Sequence, residues 1–140
     1  MNRLNFDTGV KTYDINGVCE ISINPTDSLL TSRLLSLVSR LDEKREQYAR
    51  DIDNAEIEDI FDIASKFEAD VRAEIDAALG TPVCDAVFGN MSVMSMANGL
   101  PVFCNLVFAI LDEIDAGWES ENAKTNARIA KYTDKYKKKV

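Results

Sequence analysis

Catalysis needs nucleophilic or titratable side chains at a workable spacing, and in this chain of 140 residues the candidates are few. There is no histidine. That removes Ser-His and Cys-His nucleophile pairs, the Glu-x-x-His arrangement of carboxylate-bridged di-iron sites, and ordinary zinc sites. The three cysteines, Cys19, Cys84 and Cys104, form no CxxC pair and are odd in number. They read as reduced thiols in a cytosol, with Cys84 and Cys104 in the core. A catalytic thiolate wants a positive charge beside it, and neither of these two has one close in sequence.

Two acidic groups invite a chemical reading. At helical spacing Asp112 and Asp115 share a face, with Glu113 about 100° round. With no titrating partner beside them, they read as the exposed end of a helix. Asp51-Ile52-Asp53-Asn54-Ala55-Glu56, followed by Asp62, outlines a calcium loop at its first, third and twelfth positions. It fails at the fifth, which is Ala55, and at the sixth, where Glu56 replaces the required glycine. Gly89 and Gly99 lie too far apart for a phosphate loop, and no Gly-Lys-Ser or Gly-Lys-Thr occurs. No catalytic residue, cofactor or metal is expected, and the chain is not expected to be an enzyme.

The elements around these residues are easier to read. The fold expected is α+β and mostly α. An N-terminal β-hairpin or three-stranded meander spans residues 3–24. A bundle of three main helices plus a short helix follows, at about 27–48, 54–79, 82–88 and 102–118. Residues 1–123 form a single globular domain. Cys19, Ile21 and Ile23 alternate with polar residues at strand period, and Asn16-Gly17 is a strong hairpin signal. A two-residue loop pairs Ile15 with Val18; a three-residue loop pairs Ile15 with Cys19 and gathers Tyr13, Ile15, Cys19, Ile21 and Ile23 on one face. Leu4, Phe6 and a turn at Thr8-Gly9 would supply the third strand.

Pro25 and then Thr26 or Asp27 open the first long helix, whose stripe is Leu30, Leu34, Leu37, Val38 and Leu41, with Tyr48 two turns on. The charged run 42–50 reads as a solvated helix end or a turn. Asp53 or Asn54 caps the next helix, whose stripe is Ile60, Phe61, Ala64, Phe67, Val71, Ile75, Ala78 and Leu79. Gly80 closes it in the left-handed conformation. Thr81-Pro82 caps a short helix that ends at Gly89. Residues 90–101 read as a loop whose Met91, Met94 and Met96 fold back to fill gaps. Val102–Leu111 has no charge and only Asn105 as a polar side chain, so it reads as the core helix; Gly117 could break or kink its end.

Charge divides the chain. The net −8 splits into +6 over residues 124–140 and −14 over residues 1–123. An acidic body argues against nucleic-acid binding. The start has no apolar signal core, and the uncharged run is far shorter than the ~20 residues of a membrane span. Residues 124–140 form a basic tail or weak amphipathic helix, with Ile129, Tyr132 and Tyr136 among Lys131 and Lys135. These five, with Met91, Met94, Met96 and Leu100, are the candidate partner-binding residues. A loop with three methionines can repack against a partner, provided one edge stays open.

The order of several motifs resembles a family of small proteins from phages and prophages of Gram-positive bacteria. They are Phe6-Asp7-x-Gly9-x-Lys11-x-Tyr13-x-Ile15-Asn16-Gly17, Asn24-Pro25-Thr26-Asp27, Pro82-Val83-Cys84-Asp85-x-x-Phe88-Gly89, Asn98-Gly99-Leu100-Pro101-Val102-Phe103 and Lys131-Tyr132-x-x-Lys135-Tyr136. The resemblance is to tail assembly chaperone-like proteins. It implies a non-enzymatic chaperone in the cytoplasm of the bacterial host that binds the tape measure protein and assists tail-tube assembly. The charge split adds a possible self-association between acidic body and basic tail. Two alternatives stay open: a structural virion component, such as a head–tail connector or completion protein, or a host-directed protein-binding regulator.

Overall fold

The computed structural model describes residues 1–137. The fold is α+β, an N-terminal antiparallel hairpin followed by helices. The hairpin strands are β1 (Lys11–Ile15) and β2 (Cys19–Ile23). Asn16 and Gly17 both have positive φ, 52° and 74°, as a tight hairpin turn needs. The Val18 N–H donates to the Ile15 carbonyl at 3.0 Å, closing that turn. Yet Ile15 pairs with Cys19, so Val18 is extruded as an extra, exposed residue. The register is therefore the one that gathers five apolar side chains on one face. Ile21 and Ile23 are buried there, and Tyr13, Ile15 and Cys19 pack against the same core.

The third strand of a meander does not form. The turn at Gly9 exists, with φ 71°, its N–H accepted by Asp7 Oδ1 and the Thr8 carbonyl held by Asn24 Nδ2, both at 2.8 Å. Leu4 and Phe6 lie beyond that turn, unpaired, 93% and 83% exposed.

Helix α1 (Ser28–Asn54) starts at Asp27, whose Oδ1 accepts from Leu29 N at 2.9 Å. It runs six residues past the expected end at Tyr48. The charged run does not end it, because Arg45 bonds to Asp42, Gln47 to Asp51 and Arg50 to Gln47 along the helix surface. Asp53 and Asn54 thus belong to its last turn and cap nothing. Helix α2 (Ile57–Leu79) follows after Ala55 and Glu56, with Glu56 at the N-cap position and no side-chain cap bond. Asp51 and Asp53 in one helix and Asp62 in the next cannot form the calcium loop.

The two helices share a core only along their inner halves. Leu30, Leu34, Leu37 and Leu41 of α1 and Val71, Ile75, Ala78 and Leu79 of α2 are buried. No residue from 42 to 70 is. That stretch is a helical prong reaching about 20 Å past Leu41. Tyr48 stacks on Phe67 within it, centroids 4.2 Å apart. Phe61, expected in the stripe, is 77% exposed at its tip, with Ile57 at 89%.

Gly80 closes α2 with φ 74°. The short helix α3 (Cys84–Phe88) is capped from outside. Asp76 Oδ1 accepts from Val83 N and Cys84 N at 2.9 and 3.0 Å, where Thr81 was the expected cap. Next comes a miniature ribbon, β3 (Met96–Ala97) against β4 (Leu100–Pro101), turned at Asn98-Gly99 with φ 56° and 78°. Helix α4 (Val102–Asn122) passes through Gly117 without a break. The glycine serves a close approach: a Cβ there would stand 2.6 Å from Pro25 Cβ. Helix α5 (Arg128–Lys137) ends the described chain with no buried residue.

Candidate functional site, an apolar groove beside the central helix

The first half of helix α4, residues 102–111, carries no charge on any side yet is not enclosed. Phe103, Val107, Ile110, Ile114 and Gly117 face the core. By helical phase Cys104, Phe108 and Leu111 form a second flank, and Phe108 is 39% exposed. The third flank, with Val102, Leu106 and Ala109, borders an open groove of about 490 Å³. The opposite wall is the apolar face of the hairpin, Tyr13, Ile15, Ile21 and Ile23. Val87, Phe88 and Met91 also line it. Its polar lining includes Asp14, Asn105 and Glu113. Burial, then the charge on Glu113, raises the Tyr13 phenol above its ordinary pKa.

One arginine holds the passage that follows α3. Arg72 of α2 donates from Nε to Glu68 at 2.9 Å, from Nη1 to Asp85 at 2.9 Å, and from Nη2 to the carbonyls of Gly89 and Met91 at 2.8 and 2.9 Å. Glu68 accepts in addition from Ser92 Oγ at 2.7 Å and Val93 N at 3.0 Å. This pins residues 89–93 to α2 and drives Val93, fully buried, into the core. Partial burial pushes the Glu68 carboxyl up. The bonds from Arg72, Val93 and Ser92 outweigh it and hold the group below its ordinary value. Asn105 Nδ2 then fixes the ribbon to α4 through the Ala97 carbonyl at 3.0 Å.

The candidate partner-binding residues are not brought together in one place. Met91, 45% exposed, lines the groove. Met94 is half-buried against the core, while Met96 and Leu100 stand exposed on the ribbon at 65% and 36%. Ile129, Lys131, Tyr132, Lys135 and Tyr136 all lie on α5, none of them buried, and no described residue of α5 lines the groove. Of the basic tail, Lys138 and Lys139 lie outside the described residues. The groove's hairpin wall and the Arg72 contacts were missed from sequence. Asn98-Gly99 carried the same turn signal as Asn16-Gly17 and could have given the ribbon.

Cys84 and Cys104 are held toward the thiol form. Burial, then the Asp76 carboxylate, pushes the Cys84 thiol up to about 12. Burial also raises Cys104, although Arg45 partly opposes it. Asp112, Glu113 and Asp115 are exposed on α4. Among the described residues no cluster of three or more His, Cys, Asp or Glu side chains could hold a metal ion, and no helix is long and apolar enough to cross a membrane. Comparison with protein-family models, curated proteins and solved structures finds no match to this chain.

Proposed function

We propose that this protein works by binding another protein, as a phage tail assembly chaperone. In this reading it holds the tape measure protein and assists tail-tube assembly in the cytoplasm of the bacterial host, without catalysis. The observation that carries the binding role is the groove. Its apolar walls come from rigid elements, a hairpin face and a helix flank, and Met91 beside it can repack. An amphipathic helix is a fitting guest, because it can lay an apolar stripe into such a groove. A tape measure protein, as a long helical chain with apolar stripes, offers many such guests. The tail assignment itself is supported by the motif resemblance.

The test is co-expression of the tagged chain with the tape measure and tail-tube proteins encoded beside it. Co-purification of the tape measure protein, weakened at least tenfold by Ala109→Trp in the groove wall, is expected. Retention of the chain in purified particles would instead favour a virion component, and capture of a host protein in place of the tail proteins would favour a host-directed regulator.

A further inference from the structure

Apolar features that project from the body among the described residues include the N-terminal arm with Leu4 and Phe6, the prong tip with Ile57 and Phe61, and α5 with Ile129 and Tyr132. Any of them in a second copy could reach a groove, and charge separates them. The groove carries Asp14 and Glu113. The prong tip brings Glu56, Glu58, Asp59 and Asp62, which like charges repel. The arm brings Arg3 and Asp7, which cancel. Helix α5 carries Arg128, Lys131, Lys135 and Lys137 against Asp134, a net +3. It is the complementary guest.

Size agrees. From Val102 to Glu113 the α4 flank of the groove runs about 16 Å, and the ten-residue α5 is about 15 Å long. Ile129 and Tyr132 sit three residues apart, the spacing of a helix that docks by one face. A helix this short is marginal in water by itself, so it gains from a surface that orders it. Within one chain α5 stands clear of the groove, with Ile129 77% exposed.

We propose that α5 of one copy docks in the groove between hairpin and α4 of a second copy, Ile129 and Tyr132 against the apolar walls and Lys135, on the flank of that face, toward Glu113. The contact is head-to-tail, so it leaves a free groove at one end and a free α5 at the other, and copies add in a row. This rests on the reading of the groove as a helix-docking surface.

The test is sedimentation velocity of the full chain from 1 to about 200 µM, at low and at 0.5 M salt, a range in which exposed charges pass from weakly to strongly screened. The wild type is expected to grow in mass with concentration, and less so in salt. Lys135→Glu, and separately Glu113→Lys, should each weaken association about tenfold, a common scale for one interfacial charge pair. Combining the two should restore it to within about threefold. These residues are exposed, so the fold tolerates the changes. Ala109→Trp should block association while the circular dichroism spectrum stays unchanged. A chain that remains monomeric throughout, association indifferent to Ala109→Trp, or failure of the charge swap to restore it overturns the proposal. If the monomeric chain still co-purifies the tape measure protein in an Ala109-sensitive way, only the self-docking falls. If neither guest depends on the groove, both readings fall.

Discussion

Arg72→Met is the most informative single change. It keeps the aliphatic stem and removes the guanidinium that ties α2 to Glu68, Asp85, Gly89 and Met91. Hydrogen bonds to charged groups contribute about 1.5–3 kcal/mol each, but they do not add when they share one donor group. The Asp85 side chain is 96% exposed, so that ion pair contributes little. The Gly89 and Met91 carbonyls belong to exposed residues and can take water in its place. The net cost worked from these terms is about 2–4 kcal/mol. At this chain length that lowers the melting temperature by about 6–16 °C. Thermal unfolding followed by circular dichroism reads it, with Asp85→Ala as the control, expected within about 1 kcal/mol of wild type. The pH dependence gives a second reading. Glu68 titrates below its ordinary value in the folded chain, so its contribution is whole above the ordinary carboxylate range. That contribution is lost as the pH falls through the lower folded value. In Arg72→Met this acid sensitivity should flatten. A melting shift under about 3 °C, or an Asp85→Ala loss as large as that of Arg72→Met, would refute the reasoning.

Three further changes probe the frame of the groove. Gly117→Ala should cost about 1–3 kcal/mol in urea unfolding, because the new methyl meets Pro25 at 2.6 Å; a gain from better helix propensity would disprove the close approach. Asp76→Ala should cost about 1–2 kcal/mol by stripping the two N–H groups that start α3 of their acceptor, whereas Thr81→Ala should fall within about 0.5 kcal/mol of wild type. With its thiol raised to about 12 and its side chain buried, Cys84 should react with a thiol reagent at pH 8 only as fast as the chain unfolds; rapid native labelling would contradict its place in the core.

What could be read from sequence was local. Asn16-Gly17 gave the hairpin turn, the leucine stripe gave the buried half of α1, and Gly80 gave the end of α2. The charged run 42–50 is solvated as its composition indicates, but it neither ends the helix nor turns, because its polar groups bond to one another along the helix and Tyr48 stacks on Phe67. Phe61 has the spacing of a core residue but lies where the helix pair has outrun the core. Nothing local separates it from Val71. The ribbon strands are two residues each, too short for any alternation to show. The groove depends on how far the hairpin stands from α4. The Arg72 contacts to Asp85, Gly89 and Met91 join residues 13 to 19 apart. Both belong to tertiary structure, and periodicity carries no information about either.

The position of α4 in the chain has a consequence for synthesis. Leu34, Leu37, Val71 and Ile75 leave the ribosome well before Phe103, Val107, Ile110 and Ile114, which complete the same core. Until then the earlier helices carry an uncovered apolar stripe, the condition in which nascent chains aggregate or are degraded. Translation halted before Val102 yields a chain that cannot close. The core, and with it the α4 wall of the groove, closes only once synthesis has passed Ile114.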